Sequence, residues 1–219
     1  MHHTTTHSPL TTMQPSVLSR LRSLTPNRAL TFAEALRMAE LQAARLREQV
    51  GAADSDAFPE SVIGDLPRIR IVRRTLPTSG LSYWDRELGE WIIALNSNES
   101  EARQRFSLIH EYKHIVDHTN AEHLYQGSRP VSAARQAEQA ADYFAGCVLM
   151  PKRLMLRAWG NRVQSLDRLA WRFDVSTMAV GVRLAQLGLT ERTARCGNSL
   201  PPTGHPTVAH QLSTQRRPA

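Results

Sequence analysis

Apolar residues recur along the chain with different periods, and the changes of period divide it into elements. From Thr31 onward, Phe32, Leu36, Ala39, Ala43 and Leu46 return every three or four positions, the spacing of one helical face. Thr31-Phe-Ala-Glu34 has the form of a capping box and Gly51 is a natural stop, so an amphipathic helix is predicted between them. Between residues 68 and 95 the period falls to two. Charged and branched residues alternate from Arg68 to Leu76, and Leu81–Trp84 and Trp91–Leu95 follow, separated by turns at Pro77–Gly80 and Asp85–Glu90. The helical period returns from about Ser100 to His118–Asn120, and again from about Ser132 to Met150, where Ala134, Ala137, Ala141, Ala145 and Val148 lead to Pro151. Between residues 165 and 188, two short amphipathic segments meet at Asp174–Ser176, with Ser176 placed to cap the second and Gly188 to close it. These patterns predict an α+β fold: a small antiparallel three-stranded sheet packed on a helical core, followed by a helix-turn-helix-like segment.

Composition adds boundaries. Residues 1–26 are rich in Thr, Ser, Pro and His without sustained periodicity, and Pro, Gly, Thr and Arg return from Thr190 onward. A disordered tail is therefore expected at 1–26, a main domain at 27–155, the helical segment at 156–189 and a disordered basic tail at 190–219. The net charge of +7 resides mostly in those ends: Arg20, Arg22 and Arg28 stand without an acid in the first 30 residues, and four arginines face only Glu191 in the last 30. A nearly neutral middle argues against a broad polyanion-binding face. No apolar run reaches about 18 residues and the N-terminus lacks a charged-then-apolar signal, so a cytoplasmic protein with no membrane association is expected. Cys147 and Cys196 have no CxxC spacing and read as a core thiol and a free tail thiol.

The chemistry concentrates in Arg105-Phe-Ser-Leu-Ile-His110-Glu111-Tyr112-Lys113-His114-Ile-Val-Asp117-His118. On a helix, His110 and His114 fall one turn apart on the same face, close enough to grip one tetrahedral ion. Glu111 lies one position round, where its carboxylate can act as a base without ligating. The alternative is an ordinary helix with two surface histidines. Glu138 and Asp142, one turn apart on an otherwise Ala- and Val-rich face, would be costly there without a cation. That makes Glu138 the favoured third ligand. His118 is the rival, although three histidines spaced along one helix diverge too far to close comfortably on one ion. A metzincin arrangement fails, because positions 117 and 120 hold Asp117 and Asn120 instead of Gly and His. Asp142 could orient a ligating imidazole or be a surface acid, and His118 could support the site from the helix end.

His110-Glu-x-x-His114 followed by Glu138 resembles the gluzincin arrangement, which gives the helical core a zincin-like character. More narrowly, Arg103-x-Arg105-Phe-Ser-Leu-Ile-His-Glu-x-x-His and Glu138-x-x-Ala141-Asp-x-Phe144-Ala145-x-x-Val-Leu-Met-Pro151 resemble the ImmA/IrrE family of bacterial metallo-endopeptidases over about residues 30–155. The resemblance implies one zinc ion per chain and cleavage of a protein partner, often a helix-turn-helix repressor. Tyr112-Lys113 departs from it, standing where small residues are common; both face away from His110 and His114. Three protein ligands would leave water a fourth position, Glu111 would take its proton, and Tyr83, Tyr125, His118 and His123 are candidates for stabilising the oxyanion. An edge strand of the sheet could hold an extended peptide or merely cover the helix. A second function class stays open: a non-catalytic regulatory or toxin-like protein with a structural zinc site, binding protein or DNA through its C-terminal helices. Only Arg183 is basic on the second of those helices, which favours packing or partner docking over DNA reading.

Overall fold

The computed structural model describes residues 15–190. In chain order it contains α1 (Val17–Arg22), α2 (Phe32–Gln49), α3 (Ser61–Gly64), β1 (Ile69–Arg74), β2 (Gly80–Asp85) and β3 (Glu90–Asn96). These are followed by α4 (Glu101–Asp117), α5 (Ala121–Leu124), α6 (Ala133–Leu149), α7 (Lys152–Gly160), α8 (Leu166–Phe173) and α9 (Thr177–Gln186). None of the described helices is long and apolar enough to cross a membrane.

The predicted helices form with the caps that the sequence provides. Thr31 accepts from the Glu34 amide and Glu34 accepts from the Thr31 amide, completing the capping box of α2. Ser100, Ser132 and Ser176 accept amide hydrogens in the first turns of α4, α6 and α9.

Part of the expected N-terminal tail is structured. Residues 1–14 lie outside the described set, but Val17, Leu18, Leu21 and Leu24 give α1 and its exit one apolar face, packed into the main core. The Ser- and Pro-rich composition around them masks that spacing. Arg22 donates to the carbonyls of Ile115 (2.7 Å) and Val116 (3.3 Å), adding a side-chain donor to the last turn of α4, where Ile115 also accepts from the His118 amide.

The sheet also differs from expectation. It has three strands, but their order is β1-β3-β2, with β1 parallel to β3 and β2 antiparallel to it. An all-antiparallel meander would place β2 in the middle. Trp91–Leu95 is a continuous apolar run, buried at every position, and so takes the place flanked on both sides. The two strands that keep exposed positions become the edges. Trp91, Ile93, Ile69 and Ile71 turn one face of the sheet toward the core that contains Leu108, Ile109, Tyr112, Ile115 and Val116 of α4.

α4 lies between that face and α6, and α2 packs across α6, with Ala35, Ala39 and Ala43 sharing apolar clusters with Ala140, Phe144 and Ala145. The expected domain boundary at 155 falls inside α7. Leu169, Phe173, Val180 and Leu184 of the C-terminal pair enter the same core as α4, so α8 and α9 are part of the main body. The expected tail at 190–219 lies outside the described residues beyond Thr190, and Cys196 with it. Cys147 is a buried free thiol.

Candidate metal centre

α4 and α6 run side by side and bring the separated motifs together. His110 Nε2 and His114 Nε2 are 3.1 Å apart, and the two Glu138 carboxylate oxygens lie 3.3 Å from the first and 3.4 Å from the second. Nitrogens bound at about 2.0–2.1 Å to a tetrahedral zinc ion would be about 3.3 Å apart, so the triangle has the right size. Two neutral imidazoles and one carboxylate also form a donor set suited to zinc. The fit is thus one of distance and of chemistry. His110 is the most enclosed of the three, while Glu138 keeps 41% of its side chain exposed, so the cluster opens to solvent on the α6 side.

Asp142 Oδ1 lies 2.9 Å from His110 Nδ1. With Nδ1–H committed to that carboxylate, Nε2 is the nitrogen left for a metal. Burial disfavours charge on His110, but hydrogen bonds to Asp142 and Glu138 and the charges of Asp142 and Glu111 override it and raise its pKa to about 10. Burial and the charge on His110 push His114 the other way. One positive charge is therefore favoured among three carboxylates, at the place where a cation would lie.

Glu111 is buried beside the pair, on the side facing the sheet. Ser82 of β2 donates to its Oε2 at 2.9 Å, and a side chain at Gly80 would meet its Cγ at 3.2 Å. Sequence reasoning missed both residues. The available signal was strand alternation, which places 80 and 82 on one face, but nothing in the sequence says that this face meets Glu111.

The other expected site residues are distributed differently. His118 caps the end of α4, its ring edge-on to Trp91 at 4.9 Å, and it is outside the converging ligand set. His123, also outside that set, lies in α5, where its carbonyl accepts from the Leu30 amide. Tyr83 follows Ser82 in an alternating strand, so the pleat sends it to the opposite face of the sheet from Glu111. Tyr125 is buried with its hydroxyl donated to Asp117, which removes it from any oxyanion role. Tyr112 and Lys113 turn into the core, away from the ligand cluster. Lys113 is only 1% exposed, bonded at 2.6 Å to both Asp117 and Gln42, and its ammonium stands 5.6 Å from the ring centre of Phe144 on α6. The unusual lysine is thus accommodated by a buried acid, an amide from α2 and an aromatic face.

Comparison with known proteins bears on the fold and the family. A solved structure described as a Mycobacterium tuberculosis transcriptional regulator has the same fold, with a TM-score of 0.56 at 16% identity, the match covering 84% of this chain and 55% of the other. This chain therefore corresponds to about half of that protein. No curated protein matches the sequence. Residues 68–185, more than half of the chain and including α4 and α6, match the model of the IrrE N-terminal-like domain. The chain belongs to the IrrE N-terminal-like family of M78 peptidases.

Proposed function

We propose that this chain is a zinc-dependent endopeptidase that cleaves a protein partner, with His110, His114 and Glu138 as ligands and Glu111 as general base. One observation carries the reading: two imidazoles and a carboxylate from separate helices meet in a zinc-sized triangle, with a second, non-ligating carboxylate buried next to it. When bound, the ion would supply Lewis acidity, polarising the scissile carbonyl and acidifying water. Glu111 would accept a proton from the attacking water and deliver it to the leaving amine. Asp142 holds the His110 ring in orientation through Nδ1. β2 is an edge strand whose inner face adjoins Glu111, so an extended peptide pairing with its outer edge would pass alongside the site.

The partner class implied by the family resemblance is a helix-turn-helix repressor, and burial of Arg183 favours a protein partner over DNA. That residue, the sole basic one on α9, is 1% exposed and donates to the Met150 carbonyl, leaving Thr177, Met178, Val182 and Gln186 outward. The test is cleavage of a panel containing a disordered protein such as casein and a set of helix-turn-helix repressors, by zinc-loaded wild type and Glu111→Gln. Wild type should cleave and Glu111→Gln should bind zinc equally but act at least about 10²-fold more slowly. Equal cleavage by the two, or none by metal-loaded wild type, rejects the proposal.

A further inference from the structure

We propose that Ser82 is a positioning residue for Glu111 and that Gly80 is the gap that admits it; the inference rests on the peptidase reading above and assigns it a second element, the edge strand β2. Glu111 is buried, and a buried carboxylate needs a donor to hold one orientation. Ser82 Oγ supplies it at 2.9 Å to Oε2, while the same hydroxyl is 3.4 Å from the Glu111 backbone carbonyl, the longer and weaker contact. Two residues earlier on the same face, an ideal Cβ at Gly80 would lie 3.2 Å from Glu111 Cγ and 3.4 Å from Oε1. Alanine there would require the Glu111 side chain to give by a few tenths of an ångström, and a bulkier residue would require more. The backbone carbonyl of Ala94, on the neighbouring strand, is also 3.4 Å from that position and closes the other side.

The two residues together define the seat of the carboxylate: Ser82 fixes Oε2 and Gly80 lets the methylene chain lie against the strand. Oε1 is left to exchange a proton. The Ser82 hydroxyl can donate to Oε2 whether Glu111 is ionised or carries a proton on Oε1, so it holds orientation through the whole proton transfer. Its contribution is geometric, and a misplacement of the order of 1 Å at a reacting group is worth about 10²-fold in rate.

The experiment compares zinc-loaded full-length wild type, Ser82→Ala, Ser82→Thr and Gly80→Ala by crystal structure, zinc stoichiometry and kcat against KM on a cleaved protein. Ser82→Ala should bind one zinc, lose the single Glu111 rotamer, and lower kcat about 10- to 100-fold with KM unchanged. Ser82→Thr keeps the hydroxyl and should restore both the rotamer and most of kcat, whereas Gly80→Ala should displace the carboxylate with the hydroxyl still present. An unchanged Glu111 rotamer in both Ser82→Ala and Gly80→Ala overturns the proposal, as does a kcat loss that threonine fails to repair. If metal-loaded wild type cleaves nothing, the peptidase reading fails while the rotamer comparison still decides the positioning claim.

Discussion

Individual side chains here do their work through partners far away in sequence. Asp142 reaches His110 across two helices, and substitution by Asn keeps the shape but weakens the acceptor and its charge. Zinc affinity should fall by about 10- to 100-fold in Asp142→Asn, measured by chelator competition, with the fold unchanged. Lys113 is a sharper case, because its charge is enclosed with Asp117 as the ion-pair partner and Gln42 as a further acceptor. Burial pulls its pKa down while Asp117 pulls it up, the first being the larger effect. Replacing it by Met leaves Asp117 facing a non-polar side chain, with Tyr125 still donating to its carboxylate. Loss of one partner of a buried pair costs about 3–5 kcal/mol, so denaturant titration of Lys113→Met should show a drop of that size. A change below about 1 kcal/mol would mean that the pair is solvated.

Elements are held by short local signals at their ends and by long-range packing in their middles. α2 begins with a reciprocal cap in which Arg28 also pairs with Glu34. Thr31→Ala should lower stability by about 1 kcal/mol, read from the denaturation midpoint. The same cap gives a pH dependence. The hydrogen bond from Arg28, followed by those from Thr31, depresses the Glu34 pKa to about 2, below its ordinary value of 4.5. A depressed acid stabilises the fold fully above its unfolded pKa and loses that contribution as pH falls through the folded one. Loosening of the first turn of α2 should therefore develop between pH 4.5 and 2, visible as faster amide exchange at Glu34 and Ala35, whose amides bond to Thr31. In Thr31→Ala that turn should already exchange rapidly above pH 4.5.

At the scale of the whole molecule, the C-terminal helices share the core of α4. Phe173 is fully buried in the cluster that also contains Leu108 and Ile109 of α4, and Arg105 of α4 donates to the Asp174 carbonyl at 2.6 Å. Phe173→Ala should cost about 3–5 kcal/mol. Calorimetry should still show one cooperative transition, shifted down as a unit; two resolved transitions would mean that α8 and α9 fold separately.

The amphipathic periods, the cap residues and the His110–Glu138 spacing fixed most of the elements and named the ligand candidates, because helices and their ends depend on neighbours within a few positions. Long-range geometry depends on which faces meet, and alternating patterns carry no record of that. Strand order went to β3 because its Trp91–Leu95 run could be buried on both sides, a competition among strands that only the folded sheet resolves. For the same reason the sequence could nominate Tyr83 and Tyr125 but could not show that one lies across the sheet and the other is spent on Asp117. Local spacing determined which residues can share a helical face with His110. Tertiary packing alone decided that Glu138 would meet it, that Asp142 would lie against its Nδ1 and that Ser82 would bond Glu111 beside it, since each contact joins segments that are independent until the core closes.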